Sequence, residues 1–243
     1  MNKLILTVLA VTLCMSAFLS PCYAKTINAA SPSMDDVNSA LANADYGDVI
    51  AIPAGTAKWT RTLFISNHSV TLQGAGVDRT IITNEVPKTG WQDSMIWINS
   101  IEGFPIRITG ITFAGGSTGG NSDYGVIYMG GTCKNFRIDN CKFNLLKGRA
   151  IRTAGHTYGV IDHNIFNATG PSIYVVHNGF NGGQHGDRSW STPLYLGAAN
   201  AVYIEDNSFS YTNSDADHVY SVVDSISGGR FVCQRCCPIE GLL

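Results

Sequence analysis

The stretch from His177 to Trp190 carries side chains that could do chemistry. His185, Asp187 and Arg188 fall within four residues of one another and offer a general acid or base, a carboxylate and an anion clamp. Trp190 and Tyr195 follow, with flat faces on which sugar rings could rest. Glycines are dense here, and a long loop on a rigid scaffold is more often functional than idle. A glycine-rich loop pinned by a few hydrogen bonds would have the same composition, so residue types alone do not separate catalysis from structure.

A second group of candidates comes from repetition. Ile108-Thr109-Gly110-Ile111-Thr112-Phe113, Ile138-Asp139-Asn140-Cys141-Lys142-Phe143, Ile161-Asp162-His163-Asn164-Ile165-Phe166 and Ile204-Glu205-Asp206-Asn207-Ser208-Phe209 align without a gap. The leading Ile recurs at intervals of 30, 23 and 43 residues, in the range that marks a solenoid. Each unit reads as a short strand, a polar turn and a buried Phe. Alternation points the four Ile inward and sets Thr109, Asp139, Asp162 and Glu205 in an outward column. Arg107, Arg137, Val160 and Tyr203 form a second outward column two residues earlier, and Arg137 and Tyr203 join Trp190 and Tyr195 as substrate-binding candidates.

Carboxylates of Asp139 and Asp162 on adjacent coils would lie about 4.8 Å apart and repel. A Ca²⁺ held by Asp139, Asp162 and Glu205 would relieve this, and so would Arg137. Arg137 needs no further assumption, so ion pairing is the favoured expectation. Asn164, Asn207 and Asp206 are expected to be turn residues whose side chains satisfy backbone groups coil after coil. The same role is favoured over a catalytic one for His163. Asn213-Ser214-Asp215-Ala216-Asp217 is oxygen-rich but too short for an EF-hand loop and reads as a solvated turn.

The elements that must position these residues are strands stacked coil on coil. Ser33 is a candidate N-cap for a short amphipathic helix carrying Val37, Leu41 and Ala44, which would close the N-terminal end of the stack. Asp48 to Pro53, Leu63 to Leu72, Trp91 to Ile98 and Phe104 to Phe113 supply further strands, with Gly55, Gly74 and Gly76 at corners that favour positive φ. Gly115 to Gly120 reads as a loop, since it lacks the Lys-Ser/Thr and following helix of a phosphate cradle. The 43-residue interval between Ile161 and Ile204 holds the strand candidate Ile173-Tyr174-Val175-Val176 and predicts one extra coil interrupted by the His177–Trp190 loop.

The repeated I-[DE]-[HDN]-N-x-F units, with Gly47-Asp48-Val49-Ile50-Ala51-Ile52-Pro53-Ala54-Gly55 and Val70-Thr71-Leu72-Gln73-Gly74-Ala75-Gly76, resemble right-handed parallel β-helix proteins of the pectin-lyase-like superfamily. The resemblance covers roughly residues 33 to 232. It implies an all-β, single-stranded right-handed parallel β-helix with a short N-terminal capping helix. Val160-Ile161-Asp162-His163 resembles the [VW]-I-D-H segment of pectate lyases. There, outer-face carboxylates hold Ca²⁺, the metal binds the uronate and acidifies its neighbouring proton, and an Arg removes it. The Trp of that segment is absent here, and so is an R-x-P-x-x-R stretch. Gln184-His185-Gly186 matches the G-H-G of polygalacturonases only in part. The resemblance implies recognition and cleavage of a polysaccharide along the outer groove by lyase or glycoside hydrolase chemistry. The competing class is a non-catalytic surface, adhesion or structural protein.

Residues 1–24 read as a signal peptide: Lys3, an apolar run from Leu4 to Leu13 too short to span a bilayer, and the small-residue end Cys22-Tyr23-Ala24. The expected destination is the periplasm, the cell surface or the medium, with cleavage near Lys25. Lipidation at Cys22 is disfavoured by Pro21. The remaining 219 residues suffice for one domain of roughly nine coils. Their 15 basic and 18 acidic residues create no broad basic field, which argues against nucleic acid or anionic lipid as a partner.

Five cysteines remain after cleavage, an odd count that leaves at least one thiol unpaired or intermolecular. Cys141 shares the column of Ile111, Asn164 and Asn207 and is expected to be a stacked turn residue, while spacing leaves a bridge to Cys133 open. Asp224 to Val232 opens what looks like another coil, but Cys233-Gln234-Arg235-Cys236-Cys237 follows, and a truncated or frameshifted end is expected. A metal site at Cys233, Cys236 and Cys237 lacks a nearby fourth ligand.

Overall fold

A computed structural model describes residues 24–87, 89, 93–117, 125–146, 149–155, 157–168, 172–176, 201–211, 222–226 and 231–235. Among them are twenty strands, numbered along the chain, in three parallel sheets. The first sheet has eight strands: β1 (Thr26–Asn28), β2 (Asp48–Ile52), β5 (Val70–Gly74), β8 (Ile106–Thr109), β11 (Phe136–Asp139), β14 (Gly159–Asp162), β17 (Val202–Glu205) and β20 (Phe231–Gln234). The second has six: β4 (Leu63–Ser66), β7 (Ile96–Ser100), β10 (Ile127–Gly131), β13 (Ile151–Ala154), β16 (Ile173–Val176) and β19 (Val223–Ile226). The third also has six: β3 (Gly55–Trp59), β6 (Thr80–Asn84), β9 (Thr112–Gly115), β12 (Lys142–Leu146), β15 (Ile165–Ala168) and β18 (Ser208–Tyr211). From β2 onward the chain visits the sheets in rotation, and each strand pairs with the third one along.

This winding follows from the repeat. Ile50, Leu72, Ile108, Ile138, Ile161 and Ile204 pair in register across the first sheet, and all are fully buried. In the third sheet Phe113, Phe143, Phe166 and Phe209 stack with centroids 5.3, 4.8 and 4.9 Å apart, the spacing that parallel strands impose. Between Ile and Phe lies a tight corner. Gly110, Asn140, His163, Asp206 and Arg235 all take left-handed backbone, with φ of 70, 50, 54, 52 and 47°. Asn, Asp and His tolerate that region better than most residues, which accounts for the third position of the repeat and supports the turn role of His163.

The fourth position is a buried amide ladder. Asn164 Oδ1 accepts from Cys141 N at 2.9 Å, and Asn164 Nδ2 donates to Ile138 O at 2.8 Å. Asn207 repeats both bonds one strand later, accepting from Asn164 N at 2.9 Å and donating to Ile161 O at 2.8 Å. Cys141 fills the same column as an apolar residue. Burial pushes its thiol up to about 12. Cys133 and Cys141 are buried and free, so no bridge joins them.

Helix α1 (Met34–Ala42) starts at Ser33, whose hydroxyl accepts from Asp36 N at 3.2 Å. Val37 and Leu41 are buried in the core, against which Ala44 also packs, and the helix lies against β2 and β3. No helix among the described residues is long and apolar enough to cross a membrane.

Two expectations need correction. Ile161 pairs directly with Ile204, so the 43-residue interval is one turn of the winding and not an extra coil. Its surplus falls in residues 177–200, outside the described residues. Gly74 is not a positive-φ corner; a Cβ there would lie 2.2 Å from Gly110 O, so close backbone approach demands the glycine. Cys233 is disulfide-bonded, which removes its thiolate from a metal site and agrees with the sequence argument against one. It lies on β20, a true continuation of the first sheet, while residues 236–243 lie outside the described residues.

Candidate functional site

The outer face of the eight-stranded sheet carries the two columns. Arg107, Arg137, Val160 and Tyr203 are paired neighbours on β8, β11, β14 and β17, and Thr109, Asp139, Asp162 and Glu205 are paired neighbours two residues on. Each arginine reaches diagonally to the carboxylate on the next strand. Arg107 Nε and Nη2 donate to Asp139 Oδ1 and Oδ2 at 2.8 and 2.6 Å. Arg137 Nε and Nη2 donate to Asp162 Oδ1 and Oδ2 at 2.9 and 2.7 Å. These are bidentate fork pairs, and Arg137 Nε also lies 3.9 Å from Asp139 Oδ1.

The carboxylates lie beneath the guanidinium groups instead of projecting outward: Asp139 is 0% exposed and Asp162 is 3% exposed. Asp139 Oδ2 also accepts from Thr109 Oγ1 at 3.2 Å and from Asn140 Nδ2 at 2.7 Å. Burial alone would push the Asp139 carboxyl up, but the hydrogen bonds of Arg107 and Asn140 and the charges of Arg107 and Arg137 more than offset it and hold the group below the usual range. His163 Nδ1 lies 2.7 Å from Asp162 Oδ2, so Asp162 orients the ring while the ring itself remains exposed.

Ion pairing, the favoured expectation, is what Asp139 and Asp162 show, with Arg107 as well as Arg137 supplying the guanidinium groups in place of the alternative Ca²⁺ at Asp139, Asp162 and Glu205. Every carboxylate oxygen of Asp139 and Asp162 is already engaged by a cationic or polar donor, and a hard cation would have to displace arginine to bind. Among the described residues no group of three or more His, Cys, Asp and Glu side chains could hold a metal ion. The donor set does not fit Ca²⁺. Glu205 lies beside Asp162 in the ladder without joining the Arg pairs.

A groove of about 620 Å³ runs along the same face. Thr71, Arg107, Arg137, Val160 and Tyr203 line it from five successive strands, and Lys134 adds a further cation. Lys134 pairs with Glu102 at 2.8 Å. Arg137 and Tyr203, two of the substrate-binding candidates, both line this groove. His185, Asp187, Arg188, Trp190 and Tyr195 lie outside the described residues, as does the Asn213–Asp217 patch.

Of the other groove residues, the sequence reading sets Arg107 in the outward column but not among the binding candidates, and it does not single out Lys134. A signal for Arg107 existed: Arg107 and Arg137 occupy one column, each one strand ahead of an aspartate two positions further along. Lys134 precedes its strand and carries no repeat signature. Against protein-family models, curated proteins and solved structures, the chain finds no match.

Proposed function

We propose that this chain is an exported right-handed parallel β-helix protein of the pectin-lyase-like superfamily that binds a polysaccharide along the outer groove of its eight-stranded sheet. The observation that carries the reading is the groove itself. Equivalent positions of five successive strands line it. At about 4.8 Å per strand they span about 19 Å in a straight line, the form of site that suits an extended, repeating polymer. Tyr203 offers a ring face, while Arg107, Arg137 and Lys134 offer donors to hydroxyl and carboxylate oxygens. Because both arginines are neutralised by buried aspartates, the groove presents positioned donors without the unbalanced positive field that nucleic acid would call for.

Cleavage by lyase or hydrolase chemistry is assigned in this reading to His185, Asp187 and Arg188. The non-catalytic surface or adhesion reading has one observation in its favour: Asp139 and Asp162, the buried carboxylates beneath the groove arginines, are both committed to arginine. Purified mature chain offered a panel of acidic and neutral polysaccharides tests both. Tyr203→Ala and Lys134→Ala should weaken binding with circular dichroism unchanged. Alanine at His185, Asp187 and Arg188 should abolish turnover in an enzyme while leaving binding intact. A folded chain that binds no polysaccharide would overturn the reading.

A further inference from the structure

At the N-terminal edge of the eight-stranded sheet one backbone nitrogen meets a buried carboxylate. Lys25 N donates to Asp48 Oδ1 at 2.9 Å, Val49 N donates to Lys25 O at 2.9 Å, and β1 begins at the next residue. Asp48 opens β2 and is 2% exposed, and its Oδ2 accepts from Asp45 N at 2.7 Å. The Lys25 side chain turns back to the same place, with Nζ 2.6 Å from Asp45 Oδ2 and 3.4 Å from Asp48 Oδ2. A buried carboxylate is costly unless it is well paired, and of the charged groups that face this one among the described residues, Asp45 is a second carboxylate and Lys25 Nζ the single cation.

We propose that Asp48 is the receptor for the α-ammonium group created when the chain is cut between Ala24 and Lys25, so that processing itself supplies the charge that locks β1 onto the sheet. This rests on the export reading of residues 1–24. The cut is an amide hydrolysis by an endopeptidase that accepts small residues, here Cys22 and Ala24, at the third and first positions before the bond. The oxygen of water bonds to the Ala24 carbonyl carbon and the C–N bond breaks. Lys25 nitrogen leaves with the electron pair and takes up protons as an ammonium, and Ala24 becomes a carboxylate on the released peptide. One water is consumed and no other reactant is needed.

Before the cut, Lys25 N is a neutral amide with a single hydrogen, already donated to Asp48. After it, the same atom carries three hydrogens and a positive charge at the same distance from the same buried oxygen, which is a far stronger pair. The backbone donors of Asp45 and Lys25, working against burial, already hold the Asp48 carboxyl below its ordinary range, so it is an anion ready for the ammonium. Lipidation at Cys22 would leave Tyr23 and Ala24 ahead of Lys25 and keep the neutral amide there. The geometry therefore distinguishes the two processing routes. The strand being fastened is an edge strand, the place where a parallel sheet is otherwise open to pairing with another chain.

The test uses the whole chain, expressed with its own leader in an exporting host. Intact mass should place the first residue at Lys25; a chain that begins at Cys22 or another nearby residue overturns the proposal alone, and an uncut chain overturns the export reading with it. On chain beginning at Lys25, the rate of α-amine acetylation is followed against pH by peptide mass spectrometry. The midpoint should lie about one unit or more above the ordinary α-amino range of ~7.7–8.0 in folded protein, and return to that range in urea. Asp48→Asn should remove the elevation and Asp45→Asn should leave it. Should Asp48→Asn fail to fold, the folded-against-urea comparison on the unaltered chain decides. A midpoint in the ordinary range, on chain correctly beginning at Lys25, would refute the lock while leaving export intact.

Discussion

Replacing Asn164 by Ala should destabilise the fold far more than a change at a polar turn position ordinarily does. The Asn164 side chain makes three buried hydrogen bonds: it accepts from Cys141 N at 2.9 Å and donates to Ile138 O at 2.8 Å and to Asn207 Oδ1 at 3.0 Å. Alanine orphans the Cys141 amide, in a fully buried residue, and takes a second donor from the Ile138 carbonyl, which stays in the strand ladder. Asn207 Oδ1 keeps the Asn164 backbone donor at 2.9 Å and loses little. At about 1–3 kcal/mol for the orphaned amide and about 1 kcal/mol for the lost bond to Ile138 O, the loss should be about 3 kcal/mol. Asn164→Asp should cost at least as much, because it returns an acceptor to Cys141 N but sets a negative charge against Ile138 O and Asn207 Oδ1. Urea unfolding followed by circular dichroism measures the difference, with the m-value serving as a check that the two chains unfold alike. A loss below about 1 kcal/mol with unchanged m would refute the claim that the amide ladder holds the corners.

Phe166→Ala, in the middle of the ring stack, should cost about 3–5 kcal/mol in the same assay, and a near-neutral result would contradict the stack. At the left-handed corner, His163→Gly should be close to neutral and His163→Val should cost about 1–2 kcal/mol; equal effects would argue against strain at φ 54°. Asp139 and Asp48 have folded-state carboxyls held below their ordinary values, so the unfolded chain binds more protons as acid is added. Their contribution should be complete above the ordinary carboxylate value of ~3.9 and be lost as pH falls through the depressed folded values. Asp139→Asn should flatten that acid limb, and an unchanged limb would contradict the Arg107 pairing. Cys133 and Cys141 should resist a thiol reagent at pH 8 until urea is added, since both are buried and the Cys141 thiol is pushed up to about 12.

The repeat made the winding legible because each of its positions has one physical task. Ile fills the core, the third residue bends left-handed, Asn caps backbone groups on the neighbouring strand, and Phe stacks. Such local tasks can be read from residue type alone. The interval between Ile161 and Ile204 could not, because length is compatible with either an extra coil or a long excursion; only the direct pairing of the two residues separates them. The columns were legible, and so was ion pairing within them, but which arginine meets which aspartate was not. Alternation fixes the face on which Asp139 lies, yet whether its carboxylate meets water, a cation or Arg107 depends on a side chain crossing from another strand, 32 residues away in sequence. Lys134 escaped notice for the same reason, since it reaches the groove from a corner and carries no periodic mark.

Titrating purified chain that begins at Lys25 with a panel of acidic and neutral polysaccharides, beside Tyr203→Ala and Lys134→Ala, tests the central claim most directly. The account predicts saturable binding of at least one polysaccharide by the unaltered chain, weakened by both substitutions with the circular dichroism spectrum unchanged. Binding that both substitutions leave untouched, or a folded chain that binds none of the panel, would contradict it.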